Sequence, residues 1–144
     1  MSPRAIVPTR IKALLGEREH VLLIVPGVAD SGLALTNRRI LAWRGTGIAP
    51  ALPLEVVGGA ACDRSLPHPS LMLSPDVASA IPIALLLDPG RRRMADKLLN
   101  VLPGVLTEFE RGSGRTISIE RTTAGELTSL HFIRPPREAS PPDG

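Results

Sequence analysis

The sequence is poor in the side chains that most often reveal a reaction or a ligand. Its 144 residues include one cysteine, one tryptophan, two phenylalanines and no tyrosine. A single cysteine cannot form an intramolecular disulfide, which favours a reducing compartment and a cytoplasmic location. So few aromatic rings leave no platform on which bases could stack. We therefore expect no nucleic-acid partner.

Long hydrophobic runs are also absent. The longest apolar runs, residues 21–29 and 80–87, are shorter than about ten residues and contain proline, whereas a membrane-spanning helix needs roughly 20 apolar residues. The amino terminus has Arg4 but only three apolar residues before Pro8, which is not the pattern of a signal peptide. We expect a cytoplasmic protein that touches a membrane at most peripherally.

No motif in the sequence predicts catalysis. The histidines His20, His68 and His131 have neither metal-ligand nor triad spacing, and no glycine-rich phosphate loop follows a strand. Cys62 and Asp63 lie near His68, but structural zinc takes four Cys or His ligands in paired spacing, and a cysteine nucleophile needs a base. We expect no catalytic residue, no metal and no cofactor; an enzyme of unrecognised type is the weakest alternative.

The charge that is present is mainly arginine. The net charge is +3, and arginine so far outnumbers lysine that a GC-rich bacterial gene explains the balance. Two groups could still bind an anion or an anionic lipid: Arg38 and Arg39, then Arg91, Arg92 and Arg93. The second group opens a predicted helix, where positive charge opposes the helix dipole. A solvated first turn compensated by Asp88 and Asp96 is the alternative.

The stretch GLALTNRRILAWRG, Gly32–Gly45, predicts a β-hairpin. A two-residue loop at positions 37–38 places the apolar residues of both strands on one face, as a half-buried hairpin requires: Leu33, Leu35, Ile40 and Ala42. Asn37 tolerates the positive φ that such loops demand. Thr36–Arg39 is therefore a turn first and a weak anion site at most.

The amphipathic segment Asp88–Gly104 predicts a closing helix, with Asp88 as the N-cap and Pro103-Gly104 as the stop. A short helix is predicted within residues 9–19, ending near Gly16. Strands are predicted at residues 20–30, 52–57, 71–74 and 80–87, with a bulge or bend at Gly58 and Gly59. The last strand contains Pro82, which favours an edge position or a bulge.

A second hairpin is predicted after the helix. A loop of Ala124-Gly125 pairs Ile119 with Leu130 and Ile117 with Phe132. These four residues then form one apolar face, which could join an open sheet edge, cover the helix or make a dimer interface.

The quoted hairpin, with GEREHVLLIV before it, LPLEVV after it and the helix Pro89–Leu102, resembles the pleckstrin-homology-like superfamily, especially its bacterial and GRAM-type branches. The resemblance covers Gly16 to Leu102. It implies a mainly β fold, a sandwich or split barrel closed by one helix. The glycine- and proline-rich residues 58–79 and the added hairpin depart from the family pattern.

We expect a pleckstrin-homology-like domain over residues 1–106, an added hairpin over 107–133 and a disordered tail over 134–144. In this superfamily the fold is a scaffold and function resides in loops and grooves. We expect a non-catalytic protein-interaction or assembly module, with self-association through edge strands or the hairpin face. Peripheral binding to anionic lipid through the arginine groups is the alternative.

Overall fold

The predicted hairpin forms the middle of the first of two antiparallel sheets. In the computed structural model, which describes residues 8–135, its strands are β2 (Ser31–Thr36) and β3 (Arg39–Arg44). Leu35 lies opposite Ile40, as predicted, so the register is confirmed. The positive φ expected at Asn37 is wrong, since Ala29 is the one non-glycine residue with a positive φ within residues 8–135. Three further strands complete this sheet: β1 (Val21–Pro26) beside β2, with β4 (Gly47–Ile48) and β5 (Leu52–Pro53) beside β3.

Both faces of this hairpin are buried, whereas the sequence predicted a half-buried one. One face joins the main core, and the other packs under α1 (Thr9–Lys12), which is shorter than the predicted helix. The second face and α1 form a separate apolar cluster: Ile11, Ala34, Leu41 and Trp43. The amino-terminal helix therefore covers the outer side of the first sheet.

The second sheet contains the glycine-rich segment. After a 3₁₀ turn at Leu54–Val56, β6 (Val57–Asp63) runs through both glycines with a bulge between Val57 and Gly59. A Cβ on Gly58 would lie 2.8 Å from the Cβ of Asp76, so this close approach needs glycine. β7 (Ser70–Pro75) and β8 (Ile83–Leu86) follow, and β8 is an edge strand as predicted.

The closing helix is longer than predicted. A 3₁₀ turn at Pro89–Arg91 leads into α2 (Arg92–Gly112), and the side chain of Asp88 forms no cap hydrogen bond. The predicted stop at Pro103 is wrong. Proline removes one backbone hydrogen bond, but the buried stripe continues on both sides of it, through Leu102 and Leu106. Tertiary packing of that stripe outweighs the local break.

The second hairpin joins the sheet through β10 (Leu127–Ile133), which pairs with β6 and leaves β9 (Ser118–Ala124) at the edge. The predicted register is wrong by two positions, because Ile119 lies opposite Phe132. Gly125 has φ of +59° and takes the first loop position, where glycine adopts positive φ without strain. The prediction had placed it second.

Two predicted boundaries also change. The limit at residue 106 falls inside α2. The hairpin after the helix shares a sheet with the preceding strands, which is one of the three placements that the sequence left open. Arg134, assigned to the disordered tail, is held by hydrogen bonds to three elements. The remaining tail prediction, for residues 136–144, lies outside the described residues.

Candidate functional site

The turn Thr36–Arg39 is held from within the chain. The guanidinium of Arg39 donates from Nε to Oε2 of Glu19 and from Nη2 to Oε1, both at 2.9 Å. The Thr36 hydroxyl donates to Oε2 of Glu19 at 2.7 Å and accepts from the Arg39 amide at 3.0 Å. The side chain of Asn37 accepts from the His20 amide at 2.7 Å. The side chains of Thr36, Asn37 and Arg39 thus each have a partner within the chain.

The charge of Arg39 is compensated by a buried carboxylate. The side chain of Glu19 is 2% exposed. Burial alone would raise its pKa, but hydrogen bonds from Arg39, the Gly16 amide and Thr36 outweigh burial and lower the pKa to about 2. Arg39 is therefore committed to an internal ion pair, and only Arg38 of the predicted pair is exposed.

A groove of about 750 Å³ lies between β1 and the second half of α2. Its β-sheet side is Leu22, the extra residue of a bulge in β1 and 47% exposed. Bulges re-aim side chains at sheet edges, and this one places Leu22 beside the helix. The helical side is apolar: Val101, Val105 and Phe109, with Gly104 between them.

The polar groups of the groove already have partners. The Asn37 side chain is bound to the backbone of residues 18 and 20, the Thr107 hydroxyl donates to the Pro103 carbonyl at 2.8 Å, and Glu108 pairs with Arg111 at 2.8 Å. The groove therefore offers apolar side chains and the backbone of the edge strand β1 to a ligand, rather than an unpaired charge.

The arginines before and at the start of α2 lie far from this turn. Arg92 and Arg93 are exposed and Arg91 is half-buried, and none of the three forms an ion pair within residues 8–135. Asp96, expected to compensate them, pairs with Arg64 instead. Arg92 precedes the groove residue Gly104 by twelve positions, roughly 20 Å along a helix. The two predicted arginine groups are not brought into one site.

The predicted apolar interaction face is mostly part of the core. Leu130 is 4% and Phe132 3% exposed, and Ile117 packs against the same core. Ile119 alone is largely accessible, at 37%. These side chains pack the added hairpin against the domain. A partner could contact Ile119 without displacing the hairpin, but it could not reach Leu130 or Phe132 in that way.

Arg134 is a structural residue that sequence reasoning missed. Its guanidinium donates to the buried Glu110 carboxylate at 2.7 Å, to the Val57 carbonyl at 2.6 Å and to the Leu54 carbonyl at 2.8 Å. It also lies 3.2 Å from the Asp76 carboxylate. The one sequence signal is an isolated glutamate, Glu110, at a position that continues the buried stripe of α2. This contact ties the end of β10 to the helix.

Cys62 has the environment of a core residue. It is fully buried, and burial raises the pKa of its thiol above the usual range, which disfavours the nucleophilic thiolate. His68 is exposed, with Nδ1 3.3 Å from the Leu87 carbonyl. Across residues 8–135 no three His, Cys, Asp or Glu side chains are grouped so that they could hold a metal ion.

The chain forms two antiparallel sheets, with eight strands before its long helix and a hairpin after it. This is the architecture of a pleckstrin-homology-like fold, as a solved structure shows. A crystal structure of a DUF1696 family protein with a pleckstrin-homology domain, from Shewanella loihica PV-4, matches this chain with a TM-score of 0.51. The match covers 67% of this chain and 90% of that one at 14% identity. The resemblance in fold is thereby confirmed.

In sequence, the chain matches no protein-family model and no curated protein. The likeness of fold carries no activity or ligand with it, because function resides in sites that vary on a shared scaffold. Within residues 8–135, no helix is both long and apolar enough to cross a bilayer.

Proposed function

We propose that this chain is a non-catalytic binding module of a bacterial cytoplasm, whose groove between β1 and α2 takes an extended segment of a partner protein. The observation that carries the proposal is Leu22, an exposed leucine on a bulged edge strand, facing Val101 and Val105 across an open groove.

The first supporting feature is the strand edge. Among the described residues, β1 pairs with β2 on one side and with no strand on the other. Unpaired amides and carbonyls along such an edge can hydrogen-bond to an added strand. An extended peptide lying beside β1 would place alternate side chains toward α2.

The second supporting feature is the chemistry of the groove walls. Leu22, Val101, Val105 and Phe109 offer apolar contact, while the polar side chains nearby are already hydrogen-bonded. A small anion would find no free cation there. A peptide with one or two apolar side chains would pack those side chains against the groove walls, and its backbone would hydrogen-bond to the edge of β1.

Gly104 allows a test that preserves the fold. A Cβ at this position would meet no atom within 4 Å, so Gly104→Leu fills the groove without a clash and improves a helical position. The matched control is Gly112→Leu at the last residue of α2, where a Cβ also meets no atom within 4 Å and no groove residue is changed.

The probe is a phage-displayed library of random twelve-residue peptides, selected on the wild-type protein. We expect selected peptides with apolar anchors that lose at least tenfold in affinity for Gly104→Leu and keep it for Gly112→Leu. Amide chemical shifts should change at Leu22 and along α2. Selection of no peptide, or equal affinity for both variants, would overturn the proposal.

Peripheral binding to anionic lipid is the second candidate. The observation that favours it is that Arg91, Arg92 and Arg93 form no ion pair within the described residues. Against it, Arg39 is committed to Glu19, so the basic surface is smaller than the sequence indicated. A vesicle assay, described in the Discussion, separates the two candidates.

A further inference from the structure

A second candidate surface is the face of the second sheet that points away from the core. Strand alternation sends Ala60 and Cys62 of β6 inward, so that Gly59, Ala61 and Asp63 point outward. Following the pairing across all five strands defines the outer face of the second sheet: Ala84 and Leu86; Ser70, Met72 and Ser74; Gly59, Ala61 and Asp63; Leu127, Ser129, His131 and Ile133; Ser118, Glu120, Thr122 and Ala124.

The composition of the outer face is unusual for a sheet in contact with water. The chain carries 17 lysines and arginines, yet none of those within residues 8–135 is among the outward residues of this sheet. Its large apolar side chains are well exposed: Met72 at 47%, Leu86 at 44%, Leu127 at 42% and Ile133 at 37%. The outward side chains of a solvated antiparallel sheet are usually polar, and large apolar side chains grouped on an exposed face mark an interaction surface. The exposed apolar side chains of this face therefore indicate an interaction surface.

No element of the described chain covers this surface. The helix α2 packs on the inner side of the sheet, against the core, and α1 packs on the first sheet. We propose that the outer face is an interface with a second copy of this chain, the two sheets packing face to face about a two-fold axis.

The charges on the face disfavour an anionic lipid surface or a nucleic acid as its partner. Asp63 and Glu120 are acidic, and His131 lies 3.9 Å from Glu120. A surface with carboxylates and no lysine or arginine is repelled by anionic lipid and by nucleic acid. Two copies would bring together the same apolar and small side chains, because a two-fold interface uses the same surface patch of both subunits.

The shape of the face also suits a sheet partner. Its central row, which crosses all five strands, consists of small or slender side chains: Ala84, Met72, Ala61, Ser129 and Thr122. Sheets that pack face to face lie about 10 Å apart with interdigitated side chains. A row with no charged group, and with the unbranched Met72 as its one large side chain, allows that separation.

The size of the face is at the lower end of the range for specific interfaces. Five strands about 4.8 Å apart and about 20 Å long present roughly 500 Å² per copy. Two copies therefore bury about 1,000 Å², the lower limit for a specific interface. We expect a concentration-dependent dimer with a dissociation constant in the micromolar range, and a closed dimer rather than a longer assembly.

The test is sedimentation velocity of the full chain from about 1 to 500 μM, comparing the wild type with Met72→Lys and Leu127→Lys. Each variant places one positive charge on the outer face. The matched control is Leu66→Lys, which changes a leucine that is 52% exposed in the loop between β6 and β7. Far-ultraviolet circular dichroism and the melting temperature report whether each variant is folded.

We expect dimerisation by the wild type and by Leu66→Lys, and at least tenfold weaker dimerisation by both face variants. A wild type that is monomeric at 500 μM would overturn the proposal. So would unchanged dimerisation of a folded Met72→Lys or Leu127→Lys, or growth into assemblies larger than a dimer. The groove beside β1 is not altered by these changes, so the two proposals can fail separately.

Discussion

The buried carboxylate of Glu19 allows a quantitative prediction about pH and stability. Its pKa is about 2 in the folded protein, against 4.5 for the ordinary group. A group whose folded pKa is lowered contributes stability above its unfolded pKa, and this contribution is lost as the pH falls toward the folded value. Glu19 should therefore stabilise the fold at neutral pH and progressively less below about pH 5.

The magnitude follows from the two pKa values. Complete protonation of Glu19 lowers the free energy of unfolding by about 3 kcal/mol, and about 2 kcal/mol of this is lost between pH 7 and pH 3. Glu19→Gln removes the titrating group, and it also breaks two charge-assisted hydrogen bonds from Arg39. We expect the variant to be less stable than the wild type by about 2–3 kcal/mol at pH 7.

The assay is urea unfolding at pH 7 and at pH 3 for the wild type, Glu19→Gln and the control Glu55→Gln, which changes an exposed carboxylate. The gap in unfolding free energy between wild type and Glu19→Gln should narrow by about 2 kcal/mol at the lower pH. The control should follow the wild type within about 0.5 kcal/mol. A gap that stays constant with pH would refute the reasoning, since it would mean that Glu19 does not titrate differently on folding.

Three further outcomes are expected. Gly104→Ala should raise the free energy of unfolding, measured by urea denaturation, by about 1 kcal/mol, because it replaces glycine inside a helix without a clash. A destabilised variant would contradict the finding that a Cβ at this position meets no other atom. Arg134→Ala should cost about 3–5 kcal/mol, because it leaves the Glu110 carboxylate buried and unpaired, and adding Glu110→Gln should recover part of the loss. In flotation with phosphatidylserine vesicles, the first-turn arginines contribute about 1 kcal/mol each, so most of the protein should remain unbound at near-physiological salt. Retention that is lost when residues 91–93 are changed to alanine would favour the lipid candidate.

Local pairing was accessible from the sequence. The register of β2 and β3 follows from the two-residue period of apolar side chains and from a loop that starts at Asn37. The resemblance to pleckstrin-homology-like proteins rested on the same stretch, and the fold confirms it. The second hairpin was found but misregistered by two positions, because a shift of two keeps every side chain on its face and the apolar pattern cannot distinguish the registers.

The candidate sites depended on contacts between distant parts of the chain. Arg39 is indistinguishable from Arg38 in sequence, and only the fold places the Glu19 carboxylate, twenty residues earlier, against one of them. The exposure of Leu22 comes from a bulge, which the alternation of β1 does not reveal. Neither feature has a signal in the residues next to it.

The sequence by itself determined the class of fold and the strands of its first hairpin, because these depend on periodicity and on turn residues that are neighbours in the chain. Only the tertiary structure decided that α2 continues past Pro103, that Arg134 binds Glu110 and that one face of the second sheet has no cover among the described residues. Each of these depends on which distant surfaces meet. That outcome is set by the packing of the whole core rather than by local preference.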